Sequence, residues 1–373
     1  MVPDRVALAG DSGLTLRRWS LADWMSNEAA WNALQARSRA DPLFLSWEWL
    51  THWWRCFAGD LGATADILAF YRSRELVGLA PFYRHRVMRS GMLPATSVQL
   101  MGLSWRDPRP IISEYLDVVA ADGEAQAVRR ACARALLEEP SWTEWAIGFS
   151  AAGRHWCDAF AGLDPARSYV RCLDPSVSYQ ADLSQGFAAY LRSLGRSSRR
   201  SLWGLRRRLA VEAEVRFESL GSAEIEAGFT DLNRLHQLRW KNLAFGHSQL
   251  AFHIGLARRL ASRGELALSR LRVGGEVVSV LYDIRKGASQ YNISMGFNPA
   301  FNRRVSLGLI HLGYAMEEAA ACQVATYDLL AGRGQHSDYK RHLSQSCREL
   351  SCVQVLRGHL LPPLYRWHDR VRP

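Results

Sequence analysis

Residues 277–342 read VVSVLYDIRKGASQYNISMGFNPAFNRRVSLGLIHLGYAMEEAAACQVATYDLLAGRGQHSDYKRH, and the reading of this stretch decides the fold. Val277 to Ile284 is rich in β-branched and aromatic residues, which predicts a strand. Arg285-Lys286-Gly287-Ala288 follows as a turn, with Gly287 free to take a positive φ. Ser289 to Gly296 returns as a second strand. A basic loop, Asn298 to Arg304, ends the hairpin. Ser306 is placed as the N-cap of a helix reaching about Ala321. Leu309, Leu312, Ala315, Met316 and Ala319 line one face of that helix at helical spacing. A third strand then runs into Gly332-Arg333-Gly334 and on to Tyr339-Lys340. Strand, basic loop and helix start together suit a pyrophosphate. The free N–H groups and positive dipole end of the helix face an anion, Gly308 allows close approach, and Arg303 and Arg304 add charge-assisted donors. The same residues also suit an ordinary helix N-terminus with solvated arginines.

Working outward, Gly264 ends a helix (Phe252 to Arg263). Leu266 to Val273 is a strand that turns at Gly274-Gly275 into the hairpin. Ala223 to Phe245 is helical and places His236, Arg239 and Trp240 on neighbouring faces. Before it, Gly195 to Arg208 carries Arg196, Arg199, Arg200, Arg206, Arg207 and Arg208 and no acid. That helix is read either as a face for an anionic ligand or as a solvated face, with Leu194, Leu202, Leu205 and Leu209 as its buried stripe. Asp164-Pro165 and Asp174-Pro175 mark a connection over about 164 to 185.

The first half repeats this plan in outline. Leu14 to Trp19 is a strand, and Ala22 to Ala36 a helix. Ser46 caps a helix whose Leu50, Trp53, Trp54 and Phe57 form an aromatic core stripe. Ala65 to Tyr71 and Leu76 to Tyr83 form a hairpin, and Val98 to Leu103 a further strand. Tyr115 to Ala120 is strand-like, Glu124 to Leu137 is a helix, and Trp142 to Phe149 is a strand. The chain therefore reads as an α/β (α+β) protein of two similar units, 1–175 and 176–373. Each has a mixed, mostly antiparallel sheet flanked by helices, and the first lacks a clear phosphate loop.

Four motifs resemble a known family. They are Phe44 to Leu50 with Trp53-Trp54, the Arg-rich helix, Leu235 to Trp240, and Gly296 to Phe301 followed by Ser306-Leu307-Gly308, Tyr327-Asp328 and Tyr339-Lys340. Their order is similar to the acyl-CoA-binding half of the GNAT acetyltransferase superfamily. More closely it resembles the CelD-type (BioF2-like) branch, whose relatives include the FemAB/FemX peptidyltransferases. The resemblance implies acetyl-CoA or another acyl-CoA as co-substrate, held by Arg303, Arg304, Ser306, Leu307 and Gly308. It implies Asp328, Tyr339 and Lys340 as catalytic candidates, with Tyr339 protonating the departing thiolate. It implies His236, Arg239, Trp240 and Tyr291 on the substrate side, an amine acceptor on a small molecule or saccharide, and a link to exopolysaccharide or envelope metabolism. The branch commonly has Pro where Leu307 stands, and this loop is poor in glycine. Two alternatives follow: aminoacyl transfer from charged tRNA, and a non-catalytic protein binding CoA or nucleic acid.

Bulk properties narrow the choice. In 373 residues, 48% are hydrophobic and 22% charged, the balance of a soluble globular protein. The formal charge of +11 favours anionic partners such as CoA, RNA or a membrane surface. No apolar run approaches the length of a membrane span. The start lacks a signal-peptide pattern, and the seven cysteines include no CxxC pair, so a cytoplasmic protein with reduced thiols is expected. No HExxH, GxSxG or GxxxxGK[ST] occurs, and no metal-ligand spacing is found.

Overall fold

The computed structural model describes residues 6–7, 13–107, 109–301, 305–331 and 338–371. Contacts divide the chain into two units, Met1–Ser176 with Glu349–Pro373, and Val177–Arg348. The last 25 residues thus group with the first unit.

In the first unit the strands run in the order Val6–Ala7, Leu14–Trp19, Thr64–Arg72, Glu75–Arg89, Leu93–Leu100, Glu144–Ser150 and Ser346–Arg357. All neighbours are antiparallel except Leu93–Leu100 with Glu144–Ser150. Tyr115 to Ala120 yields only the short strand Val119–Ala120. The helix Trp47–Leu61 begins at Ser46, whose hydroxyl accepts from the Trp49 N–H. Its Leu50, Trp53, Trp54 and Phe57 are buried, as aromatic residues at helical spacing predict. The helix expected over Ala22 to Ala36 is two helices, Leu21–Ser26 and Glu28–Ala36, because Asn27 leaves helical geometry at ψ 36°.

In the second unit the order is Ser168–Asp182, Thr326–Asp328, Ser289–Phe297, Glu276–Lys286, Leu266–Val273 and Val215–Ser219. Here too one pair is parallel, Ser289–Phe297 with Thr326–Asp328. The turns are the expected ones, with Gly274, Gly275 and Gly287 at positive φ. The expected connection over 164 to 185 contains the division between the units, after Ser176, but it is mostly strand rather than loop, with Asp174 at φ 49° and pairing resumed beyond Pro175.

Helix Leu307–Ala321 packs Leu312, Ala315, Met316 and Ala319 into a core with Leu194, Leu202, Leu281 and Tyr327. The Arg-rich segment is not one α-helix. It runs as Arg196–Arg199, a π-turn Arg200–Gly204, and Leu205–Glu212. The π-turn brings the Leu202 carbonyl against Gly313, where a Cβ would lie 2.2 Å from the oxygen. The opposite face of the sheet holds Tyr282 among Phe229 and His253, from helices Ile225–Trp240 and His247–Ala261, and Phe245 from the loop between them; the helix expected to reach Phe245 ends at Trp240, where Lys241 turns to φ 61°. Gly296 permits that approach: a Cβ there would meet the Leu232 carbonyl at 2.7 Å. All seven cysteines are free. Among the described residues no helix is long and apolar enough to cross a membrane.

Candidate active site

The hairpin strand Ser289–Phe297 is interrupted where the site forms. Asp283 pairs with Asn292, but Tyr282 pairs with Ser294, so Ile293 is an extra residue in a β-bulge. On its other side the strand pairs in parallel with Thr326–Asp328 only through Ser289, Gln290 and Tyr291. Past that point the neighbouring chain turns away, and Leu329 N–H donates to the Tyr179 carbonyl at 2.9 Å. Among the described residues, Asn292 to Phe297 therefore has a strand partner on one side only. Ile293, Ser294 and Met295 are half-buried.

Asp328 and Lys340 hold the chain that turns away. The Asp328 carboxylate accepts the Leu330 N–H at 2.8 Å and the Gln180 amide at 3.3 Å. The Lys340 ammonium donates to the Leu329, Leu330 and Ala331 carbonyls at 2.7, 3.1 and 3.3 Å. Together they fix Leu330 at φ 56°, a conformation that a leucine adopts at a cost.

Beneath the bulge lies a buried carboxylate that the sequence reading did not single out. Asp283 accepts from Gln290 at 2.7 Å, from Asn292 at 2.8 Å, and from the Tyr327 hydroxyl. Burial pushes its carboxyl up to about 6, against the lowering effect of those donors. A lone acid in an apolar strand, with amides across a two-residue turn, was the available signal.

The helix start is more enclosed than its sequence implied. Ser306 occupies the N-cap position, but its side chain makes no capping hydrogen bond. Leu307 is 2% exposed and packs with Leu209, Leu271, Val278 and Ile310. Gly308 gives its space to Phe297, whose ring carbon would stand 2.8 Å from a Cβ there. Any larger residue at position 308 would collide with this aromatic ring. Arg303, Arg304 and Gly332-Arg333-Gly334 lie outside the described residues.

Phe297 also links the helix start to the substrate-side candidates. The Arg239 guanidinium lies between the Phe297 and Trp240 rings, 4.3 and 4.4 Å from their centroids. Burial pulls its pKa down, and the Tyr339 phenol opposes this. Burial pushes the Tyr339 phenol up, and Arg239 opposes that in turn. Arg239, Trp240 and Tyr339 are therefore brought together. The His236 ring also lies beside Trp240, with centroids 6.3 Å apart, and its Nδ1 is 2.9 Å from the Asn242 carbonyl. Tyr291 is buried in the strand, opposite Asp328. Among the described residues no group of three or more His, Cys, Asp or Glu could hold a metal.

The family model for the acetyltransferase (GNAT) domain matches residues 196–341. That range contains the bulged hairpin, the helix start, Arg239 and Tyr339. No curated protein sequence matches the chain. Among solved structures, the crystal structure of FemX is similar with a TM-score of 0.60 at 12% identity, covering 94% of this chain and 99% of that one. A conserved protein of unknown function from Bacteroides thetaiotaomicron VPI-5482 gives a TM-score of 0.51 at 10% identity, covering 89% and 98%. These likenesses are of fold. Residues 196–341 thus carry the sequence signature of a GNAT acetyltransferase domain, in a chain that shares its fold with FemX.

Proposed function

We propose that the second unit is an acyltransferase that moves an acyl group from CoA to an amine on a small molecule or saccharide. The carrying observation is the one-sided, bulged strand Asn292 to Met295, beside a helix whose first turn has no side-chain cap. A thioester is already activated, so the protein needs chiefly to hold it and polarise its carbonyl. Backbone N–H groups on the side of the bulge that no described strand pairs would donate to the carbonyl oxygen. The helix start would face the pyrophosphate, with Arg303 and Arg304 as its cationic contacts. The amine attacks the carbonyl carbon, the C–S bond breaks, and the proton the amine loses passes to water, from which Tyr339 is reprotonated after each turnover. Tyr339, kept protonated by burial, would return a proton to the thiolate. In this reading Asp328 and Lys340 are positioning residues, because both are committed to the turn at Leu330. The CelD-type branch and a cytoplasmic setting belong to this proposal as well.

A second reading, aminoacyl transfer from charged tRNA, draws on two observations. One is the FemX fold over nearly the whole chain. The other is Arg196, Arg200 and Arg207, exposed and joined by no salt bridge to an acid among the described residues.

Titration calorimetry with acetyl-CoA and CoA at two salt concentrations separates the readings. Micromolar binding that Arg304→Ala weakens supports the first. Absence of CoA binding, with tRNA binding that falls steeply as salt rises, replaces it with the second. CoA binding without acetyl-CoA consumption across an amine panel makes the protein a non-catalytic binder.

A further inference from the structure

Five of the eleven large apolar side chains exposed in the described residues come from two segments of the first unit. Met88 and Met92 sit at the tip of the hairpin Glu75–Arg89 and Leu93–Leu100, 57% and 79% exposed. Trp367 and Val371 of the C-terminal helix Leu361–Val371, and Leu360 just before it, are 63%, 58% and 69% exposed. One small core joins the segments: Val87 and Leu93 from the hairpin pack with Ala95, Leu356, Leu361 and Tyr365. The apolar tip and the apolar helix residues therefore share one end of this unit.

The exposed stripe is not the helix's packing face. Leu361 and Tyr365 point into the core, and Asp369 receives Arg171 and Tyr169. Leu360 leads the helix in phase, with its carbonyl accepting the Leu364 N–H. At about 100° per residue, Leu360, Trp367 and Val371 fall within about 40° of one another, roughly a third of a turn from Tyr365. The helix thus has two apolar faces, and only one is covered.

The rim is basic. Arg86 and Arg370 are exposed, and no salt bridge joins either to an acid among the described residues. The carboxylate on this helix, Asp369, is already held by Arg171, which keeps it ionised down to about 2. We propose that this end of the first unit docks on the surface of an anionic lipid bilayer. Trp367 and Met92 would enter the interface, and Arg86 and Arg370 would meet the headgroups. A flat, apolar and negatively charged surface complements a stripe of Trp, Leu, Met and Val edged by exposed arginines. The net charge of +11 adds attraction at longer range.

The test is co-sedimentation of the full chain with phosphatidylcholine vesicles, with and without a minority of phosphatidylglycerol, at low and high salt. Binding should be at least about tenfold stronger to the anionic vesicles and should weaken with salt. The double variant Met92→Ser/Trp367→Ser should lose about tenfold or more. Arg86→Gln/Arg370→Gln should remove the preference for phosphatidylglycerol. Val211→Ser/Leu243→Ser, which removes exposed apolar groups in the second unit, should bind as the parent does. Both apolar variants alter exposed residues, and their thermal unfolding should match the parent's. Equal binding to both vesicle types, or anionic binding untouched by Met92→Ser/Trp367→Ser, overturns the proposal. So does a concentration-dependent dimer in sedimentation velocity that this variant dissolves, since the stripe would then cover a second copy.

Discussion

Each unit contains a hairpin, a helix and a strand that returns parallel to the hairpin's second arm. In the first unit these are Glu75–Arg89 and Leu93–Leu100, Ala125–Leu137, and Glu144–Ser150. In the second they are Glu276–Lys286 and Ser289–Phe297, Leu307–Ala321, and Thr326–Asp328. Both parallel pairings cover three residues, Ser97 to Gln99 with Glu144 to Ala146, and Ser289 to Tyr291 with Thr326 to Asp328. Beyond them the units differ. The first hairpin pairs with its second arm without a register shift. The chain after that arm then folds back over Glu144–Ser150. Leu103 lies so close to Gly148 that a Cβ there would meet its methyl at 2.0 Å, and Gln99 accepts the Trp105 N–H at 2.7 Å. In the second unit a bulge falls at the corresponding place, and Ile293 to Met295 remain half-exposed. In one scaffold the chain's own leucine packs over the returning strand; in the other, among the described residues, the strand beyond Tyr291 is paired on one side only.

The comparison breaks first at Leu103. Leu103→Ala removes the plug and should destabilise the protein by about 2–5 kcal/mol, the range for emptying a buried leucine site. Denaturant unfolding measures this, and CoA titration of the same variant should show no additional site. A loss below about 1 kcal/mol would mean that Leu103 fills no gap.

A second difference lies in the buried titratable groups. In the first unit, burial and then Arg89 hold His85 down to about 4. The native state refuses a proton that the unfolded chain accepts near 6.5. The associated stability is intact above about pH 6.5 and is lost as pH falls through 4, up to about 3 kcal/mol. In the second unit Asp283 has the opposite sign. Its carboxyl is raised from 3.8 to about 6, so the native state keeps a proton that the unfolded chain releases. That stability is present below about pH 4 and is lost as pH rises through 6, again up to about 3 kcal/mol. Relative to the parent, His85→Asn should therefore unfold less readily with acid, and Asp283→Asn should flatten the decline between pH 4 and 6. Melting temperatures across pH 3–8 for both variants test the two signs, and parallel curves for parent and variant would refute them.

Much of this scaffold could be read from local signals. The hairpin around Gly287 and the helix to Ala321 were legible because turn glycines and apolar periodicity are properties of neighbours in sequence. What escaped depends on distant contacts. No glycine or proline marks the bulge at Ile293; it exists because Asp283 and Asn292 meet across the sheet. The π-turn at Arg200–Gly204 answers to Gly313, more than a hundred residues on. Asp174-Pro175 carried the local signature of a connection, yet strand pairing continues past it. Arg239, Trp240 and Tyr339 were legible as candidates, but the ring that joins two of them, Phe297, was visible only as part of a motif. Leu307 and Gly308 looked available because a helix start is a local feature, whereas their burial under Phe297 and Val278 is not.

The sharpest use of the comparison is to give the second unit the plug that the first already has. Ile293 is the extra residue of the bulge and is half-buried, so a larger side chain there has somewhere to go. Ile293→Trp should therefore change stability by no more than about 1 kcal/mol, as for substitutions outside a packed core. It should lower acetyl-CoA affinity by at least about tenfold, or about 1.4 kcal/mol, because the indole would occupy the strand edge assigned to the thioester. Ile293→Val, which keeps the edge open, should bind as the parent does. Titration calorimetry and thermal unfolding of the pair distinguish a blocked strand from a damaged one. If Ile293→Trp binds donor like the parent, the donor does not lie along the bulge, and the difference between the units concerns packing alone. If both variants lose binding together with stability, the bulge supports the fold before it serves any ligand.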